Sequence, residues 1–180
     1  RGLVGYLLLC SGVRSLVMQF KSLDALVGLV TSLAILLAWS PVEWQYPLVY
    51  QRDNFHWYQL FTANFIHENT RHLLLNLLGL ILIGLLARRC MSGPQFAVIL
   101  VFGLFGAVLA EHVLGQPPYM SITVAETRGL SGALHGLLAA SMLYLAVAQD
   151  RFALIVLCGL LLKVSVEAFR GETLVSSGSV

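Results

Sequence analysis

The residues Gly129-Leu130-Ser131-Gly132 stand where a polar, proline-bearing loop, Gly115 to Arg128, gives way to the apolar run Ala133 to Ala148. A hydroxyl is therefore expected at the very start of a helix. The first turn of a helix leaves backbone N–H groups unpaired and carries the positive end of the helix dipole, and glycines on either side let another chain come close. Those conditions suit a serine nucleophile beside a developing oxyanion. Within a bilayer, such chemistry would cut a peptide bond inside the membrane.

A second group lies earlier, in the run His67-Glu-Asn-Thr-Arg-His72-Leu-Leu-Leu-Asn76. His72 and Asn76 are four positions apart, so on a helix they share one face, one turn from each other. Both can donate a hydrogen bond to an oxygen. Polar groups inside a membrane are costly unless they pair or line a wet cavity, so one reading is interhelical glue. Beside a glycine-flanked serine they read as oxyanion donors, with Gly129 and Gly132 keeping the approach open. His67, just before that helix, reads either as an accessory group that positions water or substrate or as an interfacial loop histidine. His135 stands four residues after Ser131, with Cβ atoms about 5–6 Å apart on a helix, and is a second accessory candidate.

These groups need helices to hold them, and the composition supplies helices of a particular kind. Of 180 residues, 58% are hydrophobic and 11% charged. With a mean hydropathy of +0.82, this is the balance of an integral membrane protein. Apolar runs of spanning length cover Leu23–Trp39, His72–Ala87, Gln95–Leu114, Leu130–Ala148 and Phe152–Phe169, separated by proline, glycine and charged breakers. The expected fold is all-α: a polytopic membrane helix bundle with about five spans. Residues 1–22 form an apolar or interfacial segment broken by Gly5, Gly12 and Arg14, and residues 23–180 form one transmembrane domain.

A net charge of +2 with no basic cluster beyond Arg88-Arg89 excludes nucleic acid as a partner. Cys10, Cys90 and Cys158 lie far apart with no metal-ligand spacing, and adjacent Glu111 and His112 point in different directions on a helix, so no metal site is expected. The serine chemistry itself calls for no cofactor. Lys163 and Glu167, four apart on the last run, read as a structural ion pair facing the bundle; their use as a proton path in a small transporter is the rival interpretation. The aromatic residues Trp39, Trp44, Tyr46, Tyr50, Trp57 and Tyr58 place the first long loop at the membrane interface.

The pattern as a whole resembles the rhomboid intramembrane serine proteases. In that family a GxSG motif heads the fourth span and an HxxxN pair on the second helps hold the oxyanion; here they read Gly129-Leu130-Ser131-Gly132 and His72-Leu73-Leu74-Leu75-Asn76. Within the family the sequence resembles the rhombosortase branch, through Arg52 to Gly79, Arg128 to Gly136 and the pair Lys163 and Glu167. The resemblance implies a serine peptidase with Ser131 as nucleophile and His72, Asn76 and the Ser131 N–H as oxyanion donors. It implies no cofactor. Its substrates would be transmembrane helices of other proteins, and in the rhombosortase branch glycine-rich C-terminal sorting tails of exported proteins.

The family supplies the general base as a histidine on a sixth span, and the sequence shows no histidine beyond His135 and no sixth apolar run before Val180. A carboxyl-terminal truncation is the expected reason. A noncatalytic relative that binds transmembrane helices, or a substitute role for His135, are the alternatives. Basic residues Arg1, Arg14, Lys21, Arg88, Arg89 and Arg151 near the ends of the runs favour a cytoplasmic amino end. Ser131 then opens to the non-cytoplasmic side of what is expected to be a bacterial inner membrane.

Overall fold

A computed structural model describes the backbone of residues 22–114, 126–127 and 129–170, with the side chains of 111, 114, 126–127 and 167–170 outside the description. The expected amino-terminal segment, residues 1–22, lies almost wholly outside the described residues. In chain order the elements are α1 (Ser22–Ala38), α2 (Val42–Gln45), a 3-10 turn at Tyr46–Leu48, β1 (Tyr50–Gln51) and α3 (Gln59–Thr62). A second 3-10 turn (Ala63–Phe65) follows, then α4 (Thr70–Ala87), α5 (Gly93–Leu114), β2 (Glu126–Thr127), α6 (Ser131–Val147) and α7 (Arg151–Arg170).

The five long helices fall on the five apolar runs, with ends set by local chemistry rather than by hydropathy. Helix α4 starts at Thr70, two residues before its apolar run, because Asn69 adopts an extended conformation and its Oδ1 accepts the His72 N–H at 2.8 Å. Helix α5 starts at Gly93 because Gln95 Oε1 reaches back to accept the Ser92 N–H at 2.8 Å. Asp150 Oδ1 accepts the Phe152 N–H at 2.9 Å and opens α7. Thr70–Ala87 and Gly93–Ala110 are long and apolar enough to cross a membrane, and Ser22–Ala38 and Ser131–Val147 are shorter apolar helices.

Helix α6 lies at the centre, packed against α4, α5 and α7. Its contact with α5 runs through small residues: an added methyl on Gly103 would come 3.1 Å from the Ala133 Cα, and one on Gly132 would come 2.5 Å from the Ala107 Cβ. Gly103 and Ala107 on α5, with Gly132 and Gly136 on α6, repeat the spacing that lets membrane helices approach closely. Leu80, Leu104, Leu130 and Leu137 fill the centre, whereas Leu74, Leu78, Leu82 and Leu85 of α4 and Val98, Phe102 and Leu109 of α5 point outward and exposed. An apolar exterior of this kind suits lipid contact.

One feature departs from the expected all-α fold. β1 and β2 pair antiparallel, Tyr50 opposite Thr127 and Gln51 opposite Glu126, and so tie the first long loop to the segment that leads into Ser131. Two-residue strands carry no hydrophobic alternation that a sequence pattern could reveal.

Candidate active site

The polar face of α4 is built first. Its Asn69 cap fixes the backbone at His72, and one turn further on Asn76 points inward, only 5% exposed. His67 is buried in the preceding loop, where its Nδ1–H donates to the Phe65 carbonyl at 3.1 Å. That bond fixes the tautomer and leaves Nε2 bare, buried and without a partner among the described residues. The rings of His67 and His72 meet edge to face with centroids 5.3 Å apart. Burial holds the His67 imidazole well below its ordinary value, at about 4; the Phe65 carbonyl opposes the shift and the neighbouring His72 adds to it. His67 is thus a neutral ring at physiological pH.

The serine turn docks on this face. The Gly129 N–H donates to the Ala63 carbonyl at 3.0 Å, and Gly129 takes φ +106°, a left-handed backbone that residues with a side chain rarely adopt. A methyl placed on Gly129 would lie 2.8 Å from His72 Cε1, 3.0 Å from His72 Nε2 and 3.3 Å from Asn76 Nδ2. The turn therefore rests directly against the imidazole and the carboxamide of α4. Asn76 Nδ2 is buried there with no hydrogen-bond partner among the described residues. Leu130, fully buried, is the helix cap and supplies no capping side chain, and Ser131 opens α6. Ser131 Oγ makes no hydrogen bond among the described residues. Gly132, on the other side, is closed in by Ala107 of α5.

His135 faces the same turn, but through a different atom from the one a base would need. Its Nδ1 lies 2.6 Å from the Ser131 carbonyl oxygen rather than bonding the hydroxyl, and its Nε2 lies 3.0 Å from Lys163 Nζ on α7. Both ring nitrogens are engaged, the bare one by Lys163, so this ring has no free lone pair turned toward the Ser131 hydroxyl. The expected Lys163–Glu167 pair cannot be described, because the Glu167 side chain lies outside the described residues. His112 Nδ1 lies 3.1 Å from the Tyr50 hydroxyl and its ring stacks on Phe55 with centroids 4.2 Å apart, which fastens the first loop to the end of α5. Among the described residues, no group of three or more His, Cys, Asp or Glu could hold a metal.

Sequence reasoning missed the backbone partner of the turn, the Ala63 carbonyl, and the reach of Lys163 to His135. The first leaves no mark in a sequence, since any residue has a carbonyl. Two polar residues on neighbouring apolar runs are a weak signal that could have suggested the second.

A family model described as the Rhomboid domain matches residues 54–173. Neither a curated protein nor a solved structure matches the chain. The matched stretch holds α3 to α7, with the serine turn and the polar face of α4 inside it, and rhomboids are generally serine peptidases that act on transmembrane helices within the bilayer. With most of its length matched and apolar helices of membrane-spanning character, the chain is an integral membrane protein that belongs to the rhomboid family.

Proposed function

We propose that this rhomboid is a serine endopeptidase in which Ser131 attacks a substrate carbonyl while His72, Asn76 and the Ser131 N–H hold the oxyanion. The observation that carries the reading is the contact at Gly129: the left-handed turn before the serine abuts His72 Nε2 and Asn76 Nδ2, and Asn76 Nδ2 is a buried donor with no hydrogen-bond partner among the described residues. An unmade buried hydrogen bond costs about 1–3 kcal/mol. A donor kept at that cost is ready for charge that develops only during reaction.

In the proposed reaction Ser131 Oγ bonds to the carbonyl carbon, its proton passes to a base and then to the leaving amine, and water releases the acyl group from the serine. The family pattern implies a histidine on a sixth span as that base. His135 does not serve, since its Nδ1 is spent on the Ser131 carbonyl and its Nε2 on Lys163. A substrate helix must unwind locally at the cut, but the expected open approach at Gly129 and Gly132 is not what these glycines supply: Gly129 packs on His72 and Asn76, and Gly132 on Ala107. Small residues near the cut favour that unwinding, because glycine and serine are poor helix formers.

The finer reading is that all five long helices span a bacterial inner membrane as one unit, residues 23–180. The amino end is cytoplasmic and the serine opens to the opposite side. The substrates are transmembrane helices, in particular glycine-rich C-terminal sorting tails of exported proteins, as in the rhombosortase branch. The structural Lys163–Glu167 pair remains part of this reading.

The test is labelling of the full-length protein in detergent by a fluorophosphonate, with Ser131→Ala beside it. Labelling of the unaltered protein and none of Ser131→Ala is expected; equal labelling of both removes the nucleophile. The free Ser131 Oγ favours one rival, a noncatalytic rhomboid that grips transmembrane helices, and that rival predicts helix binding with no labelling of either protein.

A further inference from the structure

Lys163 lies on α7 within apolar surroundings, half-buried, where an ammonium group is expensive. One of its contacts reaches the serine helix. Lys163 Nζ is 3.0 Å from His135 Nε2, and His135 Nδ1 is 2.6 Å from the carbonyl of Ser131. A carbonyl oxygen can only accept, so Nδ1 must carry a hydrogen; an ammonium can only donate, so Nε2 must be bare. The two contacts demand the same neutral tautomer, and each fixes it for the other.

We propose that Lys163 and His135 are positioning residues for the nucleophile, a relay from α7 that locks the first turn of α6. The proposal rests on the reading of Ser131 as nucleophile. The bond at the Ser131 carbonyl fixes that peptide plane and with it the χ1 axis of the serine. It also polarises the peptide, whose N–H belongs to Gly132, and bonds in a chain strengthen one another in a low dielectric. The cation adds to the positive end of α6, one imidazole away from the alcohol. Any sliding of α7 along α6 breaks the Lys163 contact, so the posture of the serine depends on the seat of α7. A merely adhesive pair between helices would need no fixed tautomer and would not reach the residue that bears the alcohol.

Gln at position 135 can copy the polarity of the relay, with its amide N–H toward the Ser131 carbonyl and its amide oxygen toward Lys163; Leu cannot. The experiment uses the full-length protein in lipid nanodiscs, labelled with 15N-histidine, and pairs the imidazole 15N spectrum with the rate of fluorophosphonate labelling. His135 should show a protonated Nδ1 and a bare Nε2. Lys163→Met should convert this to mixed tautomers and slow labelling about tenfold at unchanged probe affinity. His135→Leu should match that loss, the double variant should be no slower than either single one, and His135→Gln should stay within about threefold of the unaltered protein.

A His135 tautomer indifferent to Lys163→Met overturns the relay alone. Labelling rates unchanged in both Lys163→Met and His135→Leu, or losses that multiply in the double variant, overturn the positioning role. No labelling of the unaltered protein removes the peptidase reading and the positioning role with it, while the tautomer still reports on the contact.

Discussion

The two ends of α6 use the same unusual backbone for opposite ends. At its carboxyl end Gln149 takes φ +66°, the Gln149 N–H donates to the Ala146 carbonyl at 2.9 Å and the Asp150 N–H to the Leu145 carbonyl at 3.0 Å, a Schellman closure. Asp150 then caps α7 with its side chain, so the connection is tight and its polar groups are used. At the amino end Gly129 is also left-handed, but the Leu130 cap supplies no capping side chain, and Asn76 Nδ2 and His67 Nε2 lie buried nearby without partners among the described residues. One end spends its hydrogen bonds on stability. The other leaves a donor and an acceptor unused beside a hydroxyl, which is what a candidate site has and a tight turn lacks.

Substitutions can break that contrast, and the largest effect is expected at Gly129. Gly129→Ala forces a methyl to 2.8 Å from His72 Cε1 in a backbone hostile to side chains. Labelling of Ser131 should fall by about a thousandfold, as when an oxyanion group is displaced. Asn76→Ala should slow labelling by about a hundredfold while the melting temperature holds or rises, because it removes a buried donor that has no partner among the described residues. If thermal stability falls sharply instead, Asn76 is interhelical glue and the contrast between the two ends is lost.

His67 gives a pH effect of intermediate size. Its folded value near 4 lies below the ordinary 6.5, so between those values the unfolded chain binds more protons than the folded one. The stability it contributes is present above about 6.5 and is lost as pH falls through about 4, by at most about 3 kcal/mol. Chemical denaturation in detergent at pH 7 and pH 4 measures the loss, and His67→Phe should flatten it.

The smallest effects belong to the closed end. Asp150→Ala should cost about 1 kcal/mol of stability and leave labelling unchanged. Gln149→Gly should stabilise by up to about 1 kcal/mol, since glycine takes the left-handed backbone without strain. The same glycine-alanine logic thus runs in opposite directions at the two ends of one helix, and thermal unfolding beside the labelling rate reads both.

The five long helices were legible because apolar runs and their breakers are local properties, and the side chains of Asn69, Gln95 and Asp150 adjust the starts of α4, α5 and α7 by only a residue or two. The candidate set of Ser131, His72 and Asn76 was legible as residue types and spacings. Its contact could not be read, because it depends on where the Gly129 turn is pinned, and that is decided by the Ala63 carbonyl and the β1–β2 pairing. The sequence by itself determined the helices, the apolar exterior and which residues are candidates for chemistry, since hydropathy and spacing act along the chain. Only the tertiary structure decided that Gly129 lies against His72 and Asn76, that His135 bonds the carbonyl of Ser131, and that Lys163 reaches from α7 to hold it. The first and last of those contacts join segments far apart in the chain, and packing between such segments is a matter of shape that no local pattern records.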